Sequence, residues 1–260
     1  MTPDSEAVVL RPPGQATGMV RALDGLPYLD AMAALHEAMA ARRGPAVGGR
    51  YLEIGVDRGH SLALARGAAL GIDPVLRIDQ PVWAHKTALH LFQCDSDAFF
   101  RAQNPRALLG GGIDLAFIDG MHHAEYALRD LINTERHMAA DGAILLHDCL
   151  PWSFAATRRL ARRGEGYEPV VGGWAGDTWK LLALVQEQRP DMKVMILDCP
   201  PTGLVVLSGL NAGSDVLWAG YGKLAERIVG ALATEDAFRG WLGRQRVTSS
   251  RAWAAAGCPV

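Results

Sequence analysis

Four cysteines in 260 residues are too few and too scattered for a disulfide framework. Cys94, Cys149, Cys199 and Cys258 show no CxxC spacing. This pattern favours reduced thiols and predicts a cytoplasmic protein. No apolar run approaches the roughly 18 residues of a membrane-spanning helix, so no membrane partner is expected.

The sequence also lacks an excess of either charge, since 26 basic and 28 acidic residues give a formal net charge of −2. That balance provides no strong field for a polyanion, so no nucleic-acid partner is expected. Only four of the basic residues are lysines, a bias that indicates a high-GC bacterial coding sequence rather than a function. The first 15 residues contain acids and three prolines, unlike a secretory signal.

Short apolar segments alternate with helical patterns along the first 150 residues. Strands of about five apolar residues separated by helices predict an α/β protein with a parallel sheet covered on both faces. The predicted strands are Arg50–Gly55, Ala69–Asp73, Leu89–Cys94, Ile113–Ile118 and Ala143–His147. The predicted helices are Leu26–Arg43, Ser61–Leu70, Ser96–Ala102 and His122–Met138.

Beyond Pro151 the pattern is looser. The strands Met192–Leu197 and Gly203–Leu207 are separated only by a PPTG turn, which predicts an antiparallel hairpin at the sheet edge. Arginine-rich Ser153–Arg163, a segment ending at Gln188, and Val216–Phe238 are predicted helices, followed by a mobile tail. We predict one structural domain with three parts: an arm and helix (1–45), a core (46–210), and a C-terminal helix and tail (211–260).

A glycine turn follows the first predicted strand. Gly55 and Gly59 would let the backbone approach a ligand closely, and Ser61 would open a helix whose free N–H groups face the turn. The turn lacks the third glycine of a dinucleotide-binding GxGxxG loop. Instead Glu53, two residues before Gly55, suits a cationic ligand with an amino group, and Asp73 falls where a ribose-binding carboxylate belongs.

A second motif runs from Asp114 to Asp148. It reads DLAFIDGMHHAEY, then Asp130-Leu, then DGAILLHD. Together with the glycine turn it resembles class I S-adenosylmethionine-dependent methyltransferases, and specifically the type 24 methyltransferase domain. The resemblance covers roughly residues 48–150, while the C-terminal third matches no known pattern.

The resemblance implies a Rossmann-like, doubly wound, mostly parallel seven-stranded sheet with an antiparallel edge hairpin. It implies S-adenosylmethionine as cofactor and a small-molecule acceptor, expected to be a hydroxyl of a natural product or sugar. The implied cofactor-binding residues are Glu53, Gly55, Gly59, Ser61, Asp73, Asp95, Ser96 and Asp119. Asp95 and Ser96 have a second interpretation as a helix N-cap.

Asp119 and the pair His147-Asp148 end neighbouring predicted strands. The layout is similar to that of catechol-type and sugar O-methyltransferases, which implies a divalent ion such as Mg²⁺ at Asp119, His147 and Asp148. A histidine is a softer ligand than Mg²⁺ prefers, so a metal-independent site is the alternative. His122 is a candidate general base, because an imidazole with a pKa of about 6.5 accepts protons at neutral pH. Asp119 would orient this imidazole, which makes His122, Asp119 and His147 the candidate catalytic residues.

Other interpretations stay open. They are a metal-independent N-methyltransferase, a nicotinamide-dependent oxidoreductase and a non-catalytic cofactor-binding module. A homodimer or larger homo-oligomer is also compatible with the exposed helices. Trp174, Asp177 and Trp179 are candidates for an acceptor pocket or for simple packing, while Arg158, Arg159, Arg162 and Arg163 suggest a phosphate site or a solvated helix face.

Overall fold

The computed structural model describes residues 23–44, 48–159, 174–231 and 234–260. Within these ranges, eight strands form one sheet: β1 (Gly49–Ile54), β2 (Gly67–Ile72), β3 (Lys86–Phe92), β4 (Ile113–Ile118), β5 (Met138–Leu146), β6 (Lys193–Leu197), β7 (Leu204–Ser208) and β8 (Val247–Thr248). The α-helices are α1 (Tyr28–Arg43), α2 (Ser96–Ala102), α3 (Pro105–Leu109), α4 (Ala124–Glu135), α5 (Trp179–Gln188), α6 (Val216–Ala219), α7 (Tyr221–Gly230), α8 (Glu235–Gly243) and α9 (Ser250–Ala255).

The strand order β3-β2-β1-β4-β5-β7-β6-β8 defines a Rossmann-like, doubly wound sheet. The first five strands are parallel, and β7 is antiparallel to both β5 and β6. The chain leaves β1 toward β2 on one side and returns to β4 on the other. This reversal opens a crevice at the carboxyl ends of β1 and β4, which is where open α/β sheets bind ligands.

Apolar side chains fill both faces of the sheet. β4 is buried along its whole length, as expected for a central parallel strand. Leu52 and Leu70 pack in the cluster with α4 and α5, whereas Tyr51 and Ala69 pack in the cluster with α1 and α9. The alternation along β1 and β2 therefore sends successive side chains to opposite layers of helices. Within the described residues, no helix is both long and apolar enough to cross a bilayer.

The predicted helix over Ser61–Leu70 is wrong. The structure has only a single 3₁₀ turn, Leu62–Leu64, after which β2 begins at Gly67 with φ 94°. The six residues of β2 pair with β1 on one side and β3 on the other. Pairing and burial of this apolar run override the helical propensity of its alanines and leucines.

The C-terminal region also differs from the prediction. The predicted hairpin is present as antiparallel β6 and β7, but β8 pairs outside β6 and forms the sheet edge. The single helix predicted over Val216–Phe238 is replaced by α6, α7 and the start of α8. For the predicted arginine-rich helix, the structure describes residues only up to Arg159, and these contain a 3₁₀ turn at Ala155–Thr157. Arg162 and Arg163 lie outside the described residues.

The predicted mobile tail is a folded part of the domain. Trp253 of α9 is 3% exposed and packs in the cluster that contains α1. The Leu26 amide donates to the Ser250 hydroxyl at 2.7 Å, and Arg42 donates to the Cys258 carbonyl at 2.9 Å. The tail therefore anchors both ends of α1 on the sheet.

Candidate active site

The glycine turn after β1 packs tightly against the backbone that follows β4. Gly55 has φ 93°, and a Cβ there would lie 2.1 Å from the carbonyl oxygen of Asp119. Gly59 has φ 84°, and a Cβ there would lie 2.5 Å from Val82. Both glycines are therefore required by backbone conformation and close packing, in agreement with their position after β1.

Glu53 lies beneath this turn and is completely buried. Its carboxylate accepts hydrogen bonds from the Tyr51 hydroxyl at 2.6 Å and the Ser61 hydroxyl at 2.7 Å. Burial raises the pKa of Glu53 to about 8, although the two hydroxyls oppose the shift. Gly55 lines the adjoining cavity, whereas Glu53, Gly59 and Ser61 do not.

A cavity of about 860 Å³ opens at the carboxyl ends of β1, β2, β3 and β4. Of the predicted cofactor residues, it is lined by Gly55, Asp73, Asp95, Ser96 and Asp119. Ile54, Ile72 and Val75 add apolar walls. The volume is within the range of roughly 300–1,000 Å³ typical of small-molecule sites.

Asp73 organises one side of this cavity. One carboxylate oxygen accepts the Asp57 amide at 2.8 Å and the other accepts the Val75 amide at 2.7 Å. Each oxygen can accept a second hydrogen bond, so the carboxylate can also receive ligand hydroxyls. This arrangement fits a ribose.

Asp95 and Ser96 have different local roles. The Asp95 carboxylate caps α2 by accepting the Ala98 amide at 2.7 Å, which confirms the N-cap interpretation. The Ser96 hydroxyl donates to Asp130 at 2.5 Å. Asp130 is buried, lines the cavity, and has its pKa raised by burial to about 7. It was missed as a site residue, although its place in the Asp-Leu motif marked it.

Asp119, His122 and Asp148 form a compact cluster at the other end of the cavity. His122 Nε2 lies 3.2 Å from Asp119 Oδ1 and 3.1 Å from Asp148 Oδ2. His122 and Asp148 both have left-handed backbone conformations, with φ 57° and 56°. Such conformations are costly for non-glycine residues and are concentrated at functional sites.

His147 lies beside the same carboxylates. Its Nδ1 is 3.3 Å from Asp119 Oδ1 and 3.5 Å from Asp148 Oδ2, but it is not aligned for a hydrogen bond. Its Nε2 is 3.3 Å from the Thr202 hydroxyl. The ring of Tyr28, the first residue of α1, lies 4.4 Å from the His147 ring. Tyr28 and Thr202 lie outside every sequence motif.

The cluster is balanced in charge. Burial alone would raise the pKa of Asp119, but His147 and His122 hold it well below its usual range. Burial alone would lower the pKa of His122 and His147, but Asp148 and Asp119 raise both. The imidazoles and the carboxylates of this cluster thus stabilise each other's charged forms.

Among the described residues, Asp119, His122 and Asp148 could together hold a divalent cation, and this set differs from the predicted Asp119, His147 and Asp148. One oxygen of Asp119, one oxygen of Asp148 and one ring nitrogen of His122 lie within 4.8 Å of one another. In this set the imidazole nitrogen comes from His122, whereas the sequence predicted His147. A set of two carboxylates and one imidazole suits Mn²⁺ or another transition metal better than Mg²⁺.

Trp174 covers His122, with ring centroids 5.0 Å apart. Asp177 is buried beside it and accepts the Ala124 amide at 2.9 Å. Trp179 instead packs in the core against Trp241 and Phe238, which confirms the packing interpretation for that residue.

The cavity thus lies at the switch point of an open, mostly parallel sheet, beside a glycine turn and acidic residues, which is where such α/β folds bind ligands. Residues 52–149 match the family model described as "Methyltransferase domain". This match spans the segment that carries both sequence motifs, in agreement with the resemblance inferred from them.

Two solved structures are examples of wider similarity. The O-methyltransferase TomG of Streptomyces achromogenes, solved with SAM, shares 11% identity over 70% of this chain and 90% of that chain, with a TM-score of 0.43. The sugar N-methyltransferase KedS8 of a Streptoalloteichus species shares 17% identity over 80% of this chain and 98% of that chain, with a TM-score of 0.43. No curated protein matches the chain.

Proposed function

We propose that the protein transfers a methyl group from S-adenosylmethionine to a hydroxyl of a small-molecule acceptor. One observation carries the proposal: a single cavity joins Gly55 and Asp73 to Asp119 and His122. The cavity thus connects a nucleoside-sized site to a cluster of acids and imidazoles. The match of residues 52–149 to a methyltransferase domain supports the same reaction class.

When bound, S-adenosylmethionine supplies an electrophilic methyl group. Asp73 would hold the ribose hydroxyls, while Asp95 and Ser96 would line the adenine side, as the family resemblance implies. The chain itself must position the acceptor and remove its proton, because in-line displacement depends on orientation. Asp119 lines the cavity and belongs to the acidic cluster, so it would connect the two tasks.

We further propose that Asp119, His122 and Asp148 hold a divalent cation. A cation at this position supplies Lewis-acid activation of the acceptor hydroxyl by lowering its pKa. His122 Nε2 faces both carboxylates, so it cannot point at an acceptor while it is a ligand. The geometry favours His122 as a ligand over the predicted role of general base.

Calorimetric titrations with S-adenosylhomocysteine, Mn²⁺, Mg²⁺ and NAD test this proposal. We expect micromolar binding of the nucleoside, no heat from NAD, and tighter binding of Mn²⁺ than of Mg²⁺. Asp148→Asn should abolish the Mn²⁺ heat and leave nucleoside binding intact. Binding of NAD instead of S-adenosylhomocysteine would favour an oxidoreductase. Absence of Mn²⁺ binding in the unmodified protein would favour a metal-independent reaction with His122 as the base.

The non-catalytic alternative needs a separate experiment. Extracts of candidate acceptors can be incubated with isotopically labelled S-adenosylmethionine and then searched for labelled product. Transfer that is lost in Asp119→Ala while S-adenosylhomocysteine still binds would establish a catalyst. Failure to transfer label to any hydroxyl-, amine- or thiol-bearing acceptor would favour a cofactor-binding module.

A further inference from the structure

His122 occupies a backbone conformation that its own sequence does not favour. With φ 57° it needs support from neighbouring chain segments. The carbonyl oxygen of His122 accepts the Asp177 amide at 3.1 Å. A Cβ on Gly176 would lie 1.9 Å from that same oxygen, so only glycine permits this approach. The segment Trp174–Thr178 thus supports the backbone of His122.

Asp177 also fixes the helix that begins just after His122. The residue at the N-cap of α4, His123, makes no side-chain capping hydrogen bond. The Asp177 carboxylate, 1% exposed, supplies that bond by accepting the Ala124 amide at 2.9 Å. A cap provided from 53 residues away is a tertiary constraint on the start of α4.

Two cations hold the Asp177 carboxylate in place. Arg159 donates to it at 2.9 and 3.1 Å, and the Lys180 ammonium lies 3.3 Å away. Arg159 also forms two hydrogen bonds with Glu125 of α4, at 2.6 and 2.7 Å. Bidentate arginine–carboxylate pairs fix orientation as well as distance. These hydrogen bonds and ion pairs thus connect the start of α4 to Arg159, Asp177 and Lys180.

We infer that Asp177 is a positioning residue for His122. Its amide holds the His122 backbone, its carboxylate holds the start of α4, and together they aim Nε2 at Asp119 and Asp148. Trp174, three residues before Asp177, closes over the outer side of the His122 ring. This inference concerns the same site as the proposed function, but its geometry stands without knowledge of the acceptor.

The experiment measures the accessibility of His122 in the full-length protein. Diethyl pyrocarbonate acylates exposed imidazoles, and mass spectrometry of peptides gives a rate for each histidine, with exposed His60 as internal reference. Asp177→Ala should increase the His122 rate about tenfold by allowing local opening. S-adenosylhomocysteine affinity should stay within about twofold, because Asp177 is not among the cavity-lining residues.

Matched variants separate positioning from general destabilisation. Thr234→Ala removes a local helix cap from α8, where Thr234 accepts the Ala237 amide at 3.2 Å, and should leave the His122 rate unchanged. Asp177→Asn keeps a side-chain oxygen for the Ala124 amide but loses the charge, and should give an intermediate rate. If Asp177→Ala does not fold, Asp177→Asn and Arg159→Gln decide the question.

An unchanged His122 rate in folded Asp177→Ala, or in both substitute variants, would overturn the inference. An equal increase in Thr234→Ala would also overturn it, because the effect would then reflect stability alone. Failure of the unmodified protein to bind S-adenosylhomocysteine would overturn the proposed function instead. The two failures are therefore distinguishable.

Discussion

Two carboxylates at the ends of neighbouring strands, buried Glu53 on β1 and partly buried Asp119 directly after β4, have opposite ionisation. Glu53 accepts hydrogen bonds from the hydroxyls of Tyr51 and Ser61, and burial raises its pKa to about 8. For Asp119, burial acts in the same direction, but the neighbouring imidazoles hold its pKa well below the usual range. The neighbouring imidazoles therefore keep Asp119 charged, whereas the hydroxyl partners of Glu53 do not outweigh its burial.

Glu53 thus has a structural role beneath the glycine turn, whereas Asp119 has the charge that the proposed chemistry needs. A neutral Glu53 can both donate and accept hydrogen bonds, so it stabilises the turn without attracting a cation. A charged Asp119 beside Asp148 attracts imidazolium or a metal ion. Exchanging each acid for its amide tests the difference, since both substitutions remove one carboxylate and keep its shape.

The largest effect is expected for Asp119→Asn. The substitution removes one of two anionic ligands from the proposed cation site, and Mn²⁺ affinity should fall roughly 100-fold or more. Paramagnetic resonance of free Mn²⁺ measures this loss, with S-adenosylhomocysteine calorimetry as the control for an intact cavity. Unchanged Mn²⁺ affinity would show that the cluster is only a set of ion pairs.

Glu53→Gln should change the pH dependence of stability and leave Mn²⁺ affinity alone. With a usual pKa of 4.5 and a folded pKa of about 8, the folded protein holds an extra proton between these values. Its stability therefore falls as pH rises, by about 2 kcal/mol between pH 6 and pH 8 from this group. Denaturant unfolding at both pH values should show that this difference is absent in Glu53→Gln. A difference of the same size would show that Glu53 ionises normally.

Ser61→Ala should give the smallest effect. Loss of one hydroxyl donor to buried Glu53 should cost about 1 kcal/mol of unfolding free energy at pH 6. S-adenosylhomocysteine affinity should change little, because Ser61 donates to Glu53 and does not line the cavity. A large loss of nucleoside affinity with unchanged stability would support the predicted role of Ser61 as a direct cofactor ligand.

The residues proposed to bind the cofactor could be predicted because the sequence signals that mark them are local. Gly55, Asp73 and Asp119 each directly follow a strand, and parallel strands bring their carboxyl ends together. Strand β4 was predicted with its observed bounds, since a fully buried apolar run is a strong pattern. The prediction of a helix after the glycine turn was wrong because part of that segment pairs with β1 and β3 as strand β2. Local propensity does not encode this pairing.

The surroundings of His122 and His147, where the acceptor is proposed to bind, could not be predicted to the same degree. Tyr28 and Thr202 contact His147 from distant parts of the chain, and neither belongs to a motif. Asp177 was predicted as a pocket or packing residue, but no sequence signal indicated its hydrogen bond to the His122 carbonyl. His122 was recognised as important, but its role depends on which atoms face it. Only the three-dimensional structure shows that Nε2 faces two carboxylates.

The packing of α9 on α1 has a consequence for the order of synthesis. Tyr28 is synthesised before Ser250 and Cys258, yet the helix that begins with it is anchored through contacts with both. That helix therefore gains these contacts only after the strands that end at the cavity have been synthesised. Loss of the two contacts should disturb Tyr28 before it disturbs Asp73.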